Sequence, residues 1–189
     1  ESKATITIIG DYDSDGLNAT AILVKMFRHY GVEPGTIIPR RISDGYGLSK
    51  NLLDSIKPGW GITIDNGIRS VEEISILKQK GCYVIVLDHH MPGDMLPDAD
   101  ILVDPHVNPK KNGFEHYCGA GLGYQLARLI MEQDKSPQTQ TLLDEMNVHA
   151  AIATITDVVP LQGANRRIVM DGLQIAKYHA ETLSPGLRL

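Results

Sequence analysis

Three aspartates at alternate positions follow a β-branched run near the start of this chain. The run covers residues 4–10, and the aspartates lie in the sequence DYDSDG at residues 11–16. The run is typical of a buried strand, and the apolar residues 17–27 that come next predict a helix. The acids then fall where a parallel strand passes into its helix, which is where ligands bind in open α/β sheets. Because close carboxylates repel one another, the pattern predicts that a cation or shared protons hold them together.

The same hexapeptide also matches the first half of an EF-hand calcium loop. Such a loop has a bidentate glutamate at its twelfth position, where this chain has Ile22, and a helix in front of it. Because a β-branched run stands there instead, we reject a calcium loop. An ordinary turn uses one or two acidic residues, so three acids beside a buried strand favour a functional site.

Composition limits the class of protein. The chain has 189 residues, 42% of them hydrophobic, which is sufficient for one domain with a real core. Its two cysteines form neither a disulfide framework nor a zinc-ligand spacing, which suits a reducing cytoplasm, and no apolar run is long enough to cross a membrane. The net charge of −5 argues against broad nonspecific binding of nucleic acid by this segment, except where metal ions reverse the local sign.

Two further predicted strands also end in acids or histidines. Residues 61–64 predict a strand followed by Asp65, and residues 82–87 predict another followed by the sequence DHH at residues 88–90. Because parallel strands end at one edge of a sheet, these side chains are expected to meet. The sequence therefore predicts an α/β fold, with a parallel sheet, helices on both faces and a metal site at the carboxyl ends of the strands.

Three weaker signals leave alternatives open. Arg41 and the glycine-rich residues 43–47 would hold phosphate oxygens, or form a solvated turn with surface arginines. The glycines of residues 118–123 open a predicted helix, where they let backbone N–H groups approach a ligand or only allow tight packing. Asp157 lies between apolar stretches, so it is bound to a metal, paired, or used as a helix cap or turn residue.

The acids and one imidazole together form an oxygen-rich set of candidate ligands. Its members are Asp11, Asp13, Asp15, Asp65, His89 and Asp157. Carboxylates with one histidine suit Mn²⁺ or Mg²⁺ better than structural zinc. One shared carboxylate can bridge two such ions, the arrangement used for in-line phosphoryl displacement, so the set predicts a two-metal phosphoesterase.

The ordered motifs of this chain resemble the DHH phosphoesterase superfamily and, within it, the RecJ-like single-strand-specific DNA exonucleases. They are residues 10–16, 41–47, 65–67, 88–90, 118–121 and 156–160. The resemblance implies two divalent ions, one held by Asp11, Asp13 and Asp65 and the other by Asp15, Asp65, His89 and Asp157. It implies that His90 meets the scissile phosphate, that Asp88 orients a histidine, and that the substrate is contacted by Arg41, Tyr46, Gly119 and Gly121.

The same resemblance predicts 5′→3′ cleavage of single-stranded DNA in repair and recombination. Residues 1–180 would form the catalytic domain, and residues 181–189 would begin a linker to a second, DHH-associated domain. Protein partners would be single-strand-binding protein or a helicase, reached through regions outside this sequence. Two alternatives stay open: a phosphodiesterase for short oligonucleotides or cyclic dinucleotides, and a non-catalytic replication-associated homologue. Such a homologue would be expected to lose ligands, and all the candidate ligands are present.

Overall fold

A computed structural model of the chain describes residues 5–40, 48–109, 114 and 116–188. The centre of the fold is a parallel sheet of five strands in the order β2-β1-β3-β4-β5. The strands are β1 (Ile6–Ile9), β2 (Gly35–Ile37), β3 (Trp60–Ile64), β4 (Tyr83–Leu87) and β5 (Ile101–Val103). This arrangement confirms the predicted α/β fold and brings the residues after β1, β3 and β4 to one edge of the sheet.

The helices lie on both faces of this sheet. They are α1 (Ser14–His29), α2 (Lys50–Leu53), α3 (Val71–Gln79), α4 (Gly119–Met131), α5 (Pro137–Thr156) and α6 (Gly163–Tyr178), followed by two 3₁₀ turns at Ala180–Thr182 and Pro185–Leu187. Among the described residues, no helix is both long enough and apolar enough to span a membrane.

Neighbouring strand residues supply two separate apolar cores, because side chains alternate between the faces of a sheet. Ile8 packs with residues of α1, α4 and α5, whereas the next residue, Ile9, packs with α2 and α3. Ile62 and Ile64 join the first core, and Val84 and Val86 join the second. With both faces covered, the strands read as continuous apolar runs rather than as alternating ones.

An N-cap hydrogen bond makes helix α1 begin earlier than the sequence predicts, within the candidate site. The sequence pattern predicts that α1 begins at Leu17, but it begins at Ser14, because the Asp13 side chain accepts a hydrogen bond from the Gly16 amide at 2.9 Å and acts as the N-cap. Asp15 therefore lies in the first turn of a helix and not in a loop, which fixes the direction of its carboxylate.

Candidate metal centre

Asp11 is a buried acid with one oxygen left unpaired by the surrounding chain. It follows β1 after Gly10, and its Oδ1 accepts a hydrogen bond from the Tyr12 amide at 2.7 Å. Its Oδ2 is buried and has no hydrogen-bond partner among the described residues. Burial raises the pKa of Asp11, and the neighbouring Asp13 adds to this, because an uncompensated charge is costly there.

Asp15 is held by the N-terminal end of α4. Its Oδ2 accepts a hydrogen bond from the Gly119 amide at 2.6 Å, and its Oδ1 accepts one from the Ala120 amide at 2.8 Å. A helix N-terminus favours a negative charge, because its first amides lack partners within the helix. The contact joins α1 to α4 and places the Asp15 carboxylate at the edge of the sheet where the strands end.

Asp65 lies in an unusual backbone conformation directly after β3. Its φ is 62°, in the left-handed region that few residues other than glycine adopt. Gly119 leaves room for it, since a Cβ there would lie 2.6 Å from the Asp65 Cβ. Burial, with repulsion from Asp15 and Asp13, raises the pKa of Asp65 to about 11. A carboxyl so disfavoured as an anion is suited to binding a cation.

His89 points into the middle of three carboxylates. Its Nε2 lies 3.1 Å from Asp65 Oδ1, 3.5 Å from Asp15 Oδ2 and 3.9 Å from Asp157 Oδ2. The contact with Asp65 lacks hydrogen-bond geometry, since Asp65 Oδ1 has no hydrogen-bond partner among the described residues. The imidazole nitrogen and the three acids therefore surround one position without satisfying one another.

His90 is directed by Asp88 instead. Asp88 is buried, and its Oδ1 lies 2.8 Å from His90 Nδ1 and accepts the amides of His89 and His90. Its Oδ2 accepts the Ile68 amide at 2.8 Å. Burial acts to raise the pKa of Asp88, but these hydrogen bonds outweigh it and leave the pKa lowered. The hydrogen bond to Asp88 in turn raises the pKa of His90.

Asp157 closes the centre from the helical side. It is the C-cap of α5, and burial together with repulsion from Asp15 raises its pKa. The adjacent Thr156 donates a hydrogen bond from its Oγ1 to the Ser14 Oγ at 2.8 Å. This bond ties the end of α5 to the start of α1, so that Asp157 and Asp15 approach His89 together.

Within the described part of the chain, three groups of side chains could each hold a metal ion, with ligand atoms within 4.8 Å of one another. The groups are Asp11, Asp13 and Asp65; Asp15, His89 and Asp157; and Asp65, His89 and His90. The unpaired oxygens of Asp11 and Asp65, and the raised pKa values of the buried acids, fit a divalent cation. Asp65 contributes to two of the groups, as a bridging ligand would.

The predicted substrate contacts have different outcomes. Arg41 and Tyr46 lie outside the described residues. Gly119 lies against Asp65, and its amide already donates to Asp15. Gly121 lies farther along α4, where a Cβ would be 3.2 Å from the Tyr117 ring. Their contact with substrate stays a prediction.

Two neighbouring residues support the centre in a way that the motifs containing them do not reveal. The buried Asn66 hydrogen-bonds to the ends of both β1 and β3. Gly16 lies so close to Asp11 that a Cβ would be 2.6 Å from the Asp11 Cα. An asparagine or glycine in a turn is common, so only the folded chain distinguishes these two residues from ordinary turn residues.

A separate cleft lies elsewhere in the molecule. It has a volume of about 1100 Å³ and is lined by α4, α5, α6 and the adjoining loops. Its charged lining has both signs, for example Arg128 with Glu132 and Arg167 with Asp171. None of the candidate ligands lines it, so this cleft is separate from the candidate metal centre.

Comparison with known proteins identifies the family. The model described as "DHH family, N-terminal domain" matches residues 5–154, most of this chain. The chain belongs to the DHH family. The family therefore supports the resemblance that the motifs around Asp11, Asp65 and residues 88–90 suggest.

Several relatives within the DHH family have a more specific name. The chain is 34% identical over 198 residues to the single-stranded-DNA-specific exonuclease RecJ of Salmonella typhimurium, covering 97% of this chain and 33% of that protein. It is 36% identical over 172 residues to RecJ of Bacillus subtilis, covering 89% of this chain and 21% of that protein. It thus spans a third or less of the length of these curated relatives.

A solved structure is similar over the same region. The crystal structure of exonuclease RecJ bound to manganese matches with a TM-score of 0.80 and 34% sequence identity. The match covers 98% of this chain and 46% of that chain. The sheet and the helices that surround the candidate metal centre are therefore arranged as in a RecJ structure.

Proposed function

We propose that this chain is the catalytic part of a RecJ-like exonuclease that hydrolyses phosphodiester bonds of single-stranded DNA in the 5′→3′ direction. The observation that carries the proposal is the position of Asp65, which belongs both to the group with Asp11 and Asp13 and to a group with His89. The similarity to an exonuclease RecJ structure bound to manganese supports it. A role in DNA repair and recombination goes with this activity.

The proposed cofactors are two divalent ions, Mn²⁺ or Mg²⁺. Asp11, Asp13 and Asp65 would hold one ion, and Asp15, Asp65, His89 and Asp157 would hold the other. When bound, such a pair polarises the phosphate and acidifies an attacking water. The amides of Gly119 and Ala120 keep the Asp15 carboxylate in place, so that little reorganisation is needed when the ions enter.

His90 is proposed to act on the phosphate. Asp88 Oδ1 accepts a hydrogen bond from His90 Nδ1–H, which orients the ring, and Nε2 is proposed to face the substrate. Because Asp88 raises the pKa of His90, the ring keeps a second proton to a higher pH than a free histidine would. Protonated Nε2 can then donate a hydrogen bond to a non-bridging oxygen or a proton to the leaving oxygen.

Contacts with the DNA substrate and with protein partners are proposed outside the acidic metal centre. Arg41, Tyr46, Gly119 and Gly121 are proposed to contact the DNA backbone. Single-strand-binding protein or a helicase is proposed as a partner, bound through parts of a longer protein. The net charge of −5 supports the proposal that most of the DNA-binding surface lies outside this segment, because DNA binding depends on positive charge and base stacking.

Hydrolysis of 5′-labelled single-stranded DNA tests the proposal. The chain and a longer protein containing it are assayed with Mn²⁺ and with chelator, beside a short oligonucleotide and a cyclic dinucleotide. We expect manganese-dependent release of 5′ mononucleotides from the long strand. Turnover of the small substrates alone would favour the small-phosphodiester alternative, and no turnover by either protein would favour a non-catalytic homologue.

Variants separate the two histidines. His90→Ala is expected to lower kcat by about 10²- to 10⁴-fold while manganese still binds in calorimetry. His179→Ala is the matched control, because His179 is exposed at the end of α6 and lines the separate cleft. Loss of manganese binding in His90→Ala would mean that His90 is a ligand, as its presence in a group with Asp65 and His89 allows.

A further inference from the structure

The buried Asn66 side chain joins the ends of the two strands that carry Asp11 and Asp65. Its Nδ2 donates one hydrogen bond to the Ile9 carbonyl oxygen at 3.1 Å and another to the Ile64 carbonyl oxygen at 2.9 Å. Ile9 is the last residue of β1, and Ile64 is the last residue of β3. Asp11 follows two residues after the first carbonyl, and Asp65 follows directly after the second.

We propose that Asn66 is a positioning residue that fixes the separation of the Asp11 and Asp65 carboxylates, so that one cation is held between them. The inference rests on the proposed function, because it treats the group of Asp11, Asp13 and Asp65 as a cation site. Asn66 acts through the backbone of the two turns, since both hydrogen atoms of its amide are used on carbonyl oxygens.

The link through Asn66 matters because the backbones of β1 and β3 no longer pair beyond this point. The register between β1 and β3 ends with Ile9 opposite Thr63. Beyond it, the Gly10 amide donates to Ile37 of β2, and the Asp65 amide donates to Leu87 of β4. The segment after β1 thus hydrogen-bonds to β2, and the segment after β3 hydrogen-bonds to β4, on the opposite side. The side chain of Asn66 supplies the link that the ladder no longer supplies.

Charge makes the link more important. Asp11 and Asp65 are both almost fully buried, and each leaves one oxygen without a hydrogen-bond partner among the described residues. In the ionised form that binds a cation, the two carboxylates repel each other across a poorly solvated gap. The neutral amide of Asn66 opposes this separation without adding charge. An aspartate at position 66 would instead set a carboxylate against two carbonyl oxygens.

Calorimetric titration with MnCl₂ tests the proposal on the folded chain. Asn66→Ala is expected to weaken manganese binding by about 10- to 100-fold, the usual effect of removing a residue that orients ligands. Asn66→Asp is expected to weaken it in the same direction. Full manganese affinity in folded Asn66→Ala would overturn the proposal.

Asp134→Ala controls for a general loss of stability. Asp134 accepts hydrogen bonds from Thr139 and the Ser136 amide, and its Oδ2 lies 3.1 Å from His29 Nε2. It lies between the end of α4 and the start of α5, whereas the candidate centre lies at the opposite ends of both helices. This variant is expected to lose stability and to keep the manganese affinity of the original chain.

Hydrogen exchange of the metal-free chain separates this proposal from the proposed function. Peptides covering residues 6–16 and 60–68 are expected to exchange at least about tenfold faster in Asn66→Ala, and unchanged in Asp134→Ala. If the original chain binds no manganese, the two-metal function fails, and the exchange rates still decide whether Asn66 ties the turns. If Asn66→Ala does not fold, Asn66→Ser is measured in the same way. Unchanged exchange in the folded variant would refute the tie.

Discussion

At the scale of single residues, Val158 has a conformation that its side chain does not favour. Its φ is 58° and it is 85% exposed, at the residue after the C-cap of α5. A β-branched residue in the left-handed region is strained by about 1–2 kcal/mol, and glycine is the usual residue there. Val158→Gly is therefore expected to raise the free energy of unfolding by about 0.5–1 kcal/mol, after the entropy that glycine adds to the unfolded chain.

Equilibrium denaturation with urea measures this change. Val159→Gly is the matched control, because Val159 packs against the first apolar core, the one that contains Ile8, and the truncation removes those contacts. That variant is expected to unfold more easily than the original chain. A lower free energy of unfolding in Val158→Gly would show that the Val158 side chain stabilises the end of α5 by more than its strain costs.

The positions of the candidate ligands are easier to predict from the sequence than the groups that hold them in place. Asp11 and Asp65 follow apolar runs at one edge of the sheet, so the strand pattern alone brings them together. The amides that hold Asp15 belong to Gly119 and Ala120, more than a hundred residues away in the chain. No local pattern shows which helix end meets which acid, because that depends on how α4 packs on α1.

At the scale of elements, α1 and α5 are joined by a buried histidine. His149 Nδ1 donates to Asn18 Oδ1 at 2.7 Å, and Asn18 Nδ2 donates to the Ser14 carbonyl at 2.7 Å. The other ring nitrogen of His149, Nε2, is buried and has no hydrogen-bond partner among the described residues. Burial, with repulsion from Lys25, lowers the pKa of His149 to about 4. The ring is therefore neutral in the folded chain at neutral pH.

This histidine makes stability depend on pH. An unfolded histidine has a pKa of about 6.5, so between about pH 4 and pH 6.5 the unfolded chain binds more protons. The free energy of unfolding is therefore unaffected by protonation of His149 above about pH 6.5. It falls as the pH is lowered below that value, by about 2 kcal/mol at pH 5. Urea unfolding at pH 7 and pH 5 measures it. His149→Gln is expected to reduce the pH dependence by this amount; an unchanged pH dependence would contradict the prediction.

The order of strands and helices follows from hydrophobic periodicity, but some boundaries and contacts do not. Residues 181–189 are predicted to begin a linker, and that assignment stays a prediction. In the fold, Leu183 is buried and the Ser184 amide donates to Glu145 Oε1 at 3.0 Å. Asp104 falls in a stretch with the composition of an exposed turn, yet it is buried next to His106. The contact of Ser184 with Glu145 and the burial of Asp104 both depend on tertiary packing, which a local sequence pattern does not contain.

At the scale of the whole molecule, buried acids at one edge of the sheet oppose folding unless they are neutralised. Burial, with repulsion from Asp15 and Asp13, raises the pKa of Asp65 to about 11, so without a metal its carboxyl is already protonated at pH 7. Asp65→Asn should then change the metal-free unfolding temperature little. In the original chain, ions that bind only the folded state must add stability.

Manganese should therefore stabilise the original chain and not Asp65→Asn. At 100 times the dissociation constant, one bound ion adds about 2.7 kcal/mol, which raises the unfolding temperature of a chain of this size by about 5–10 °C. Thermal scans with MnCl₂ and with chelator measure the shift. Asp98→Asn is the matched control, because Asp98 is exposed and belongs to none of the three ligand groups, and it should keep the full shift. A full shift in Asp65→Asn would mean that the ions bind without the Asp65 carboxylate.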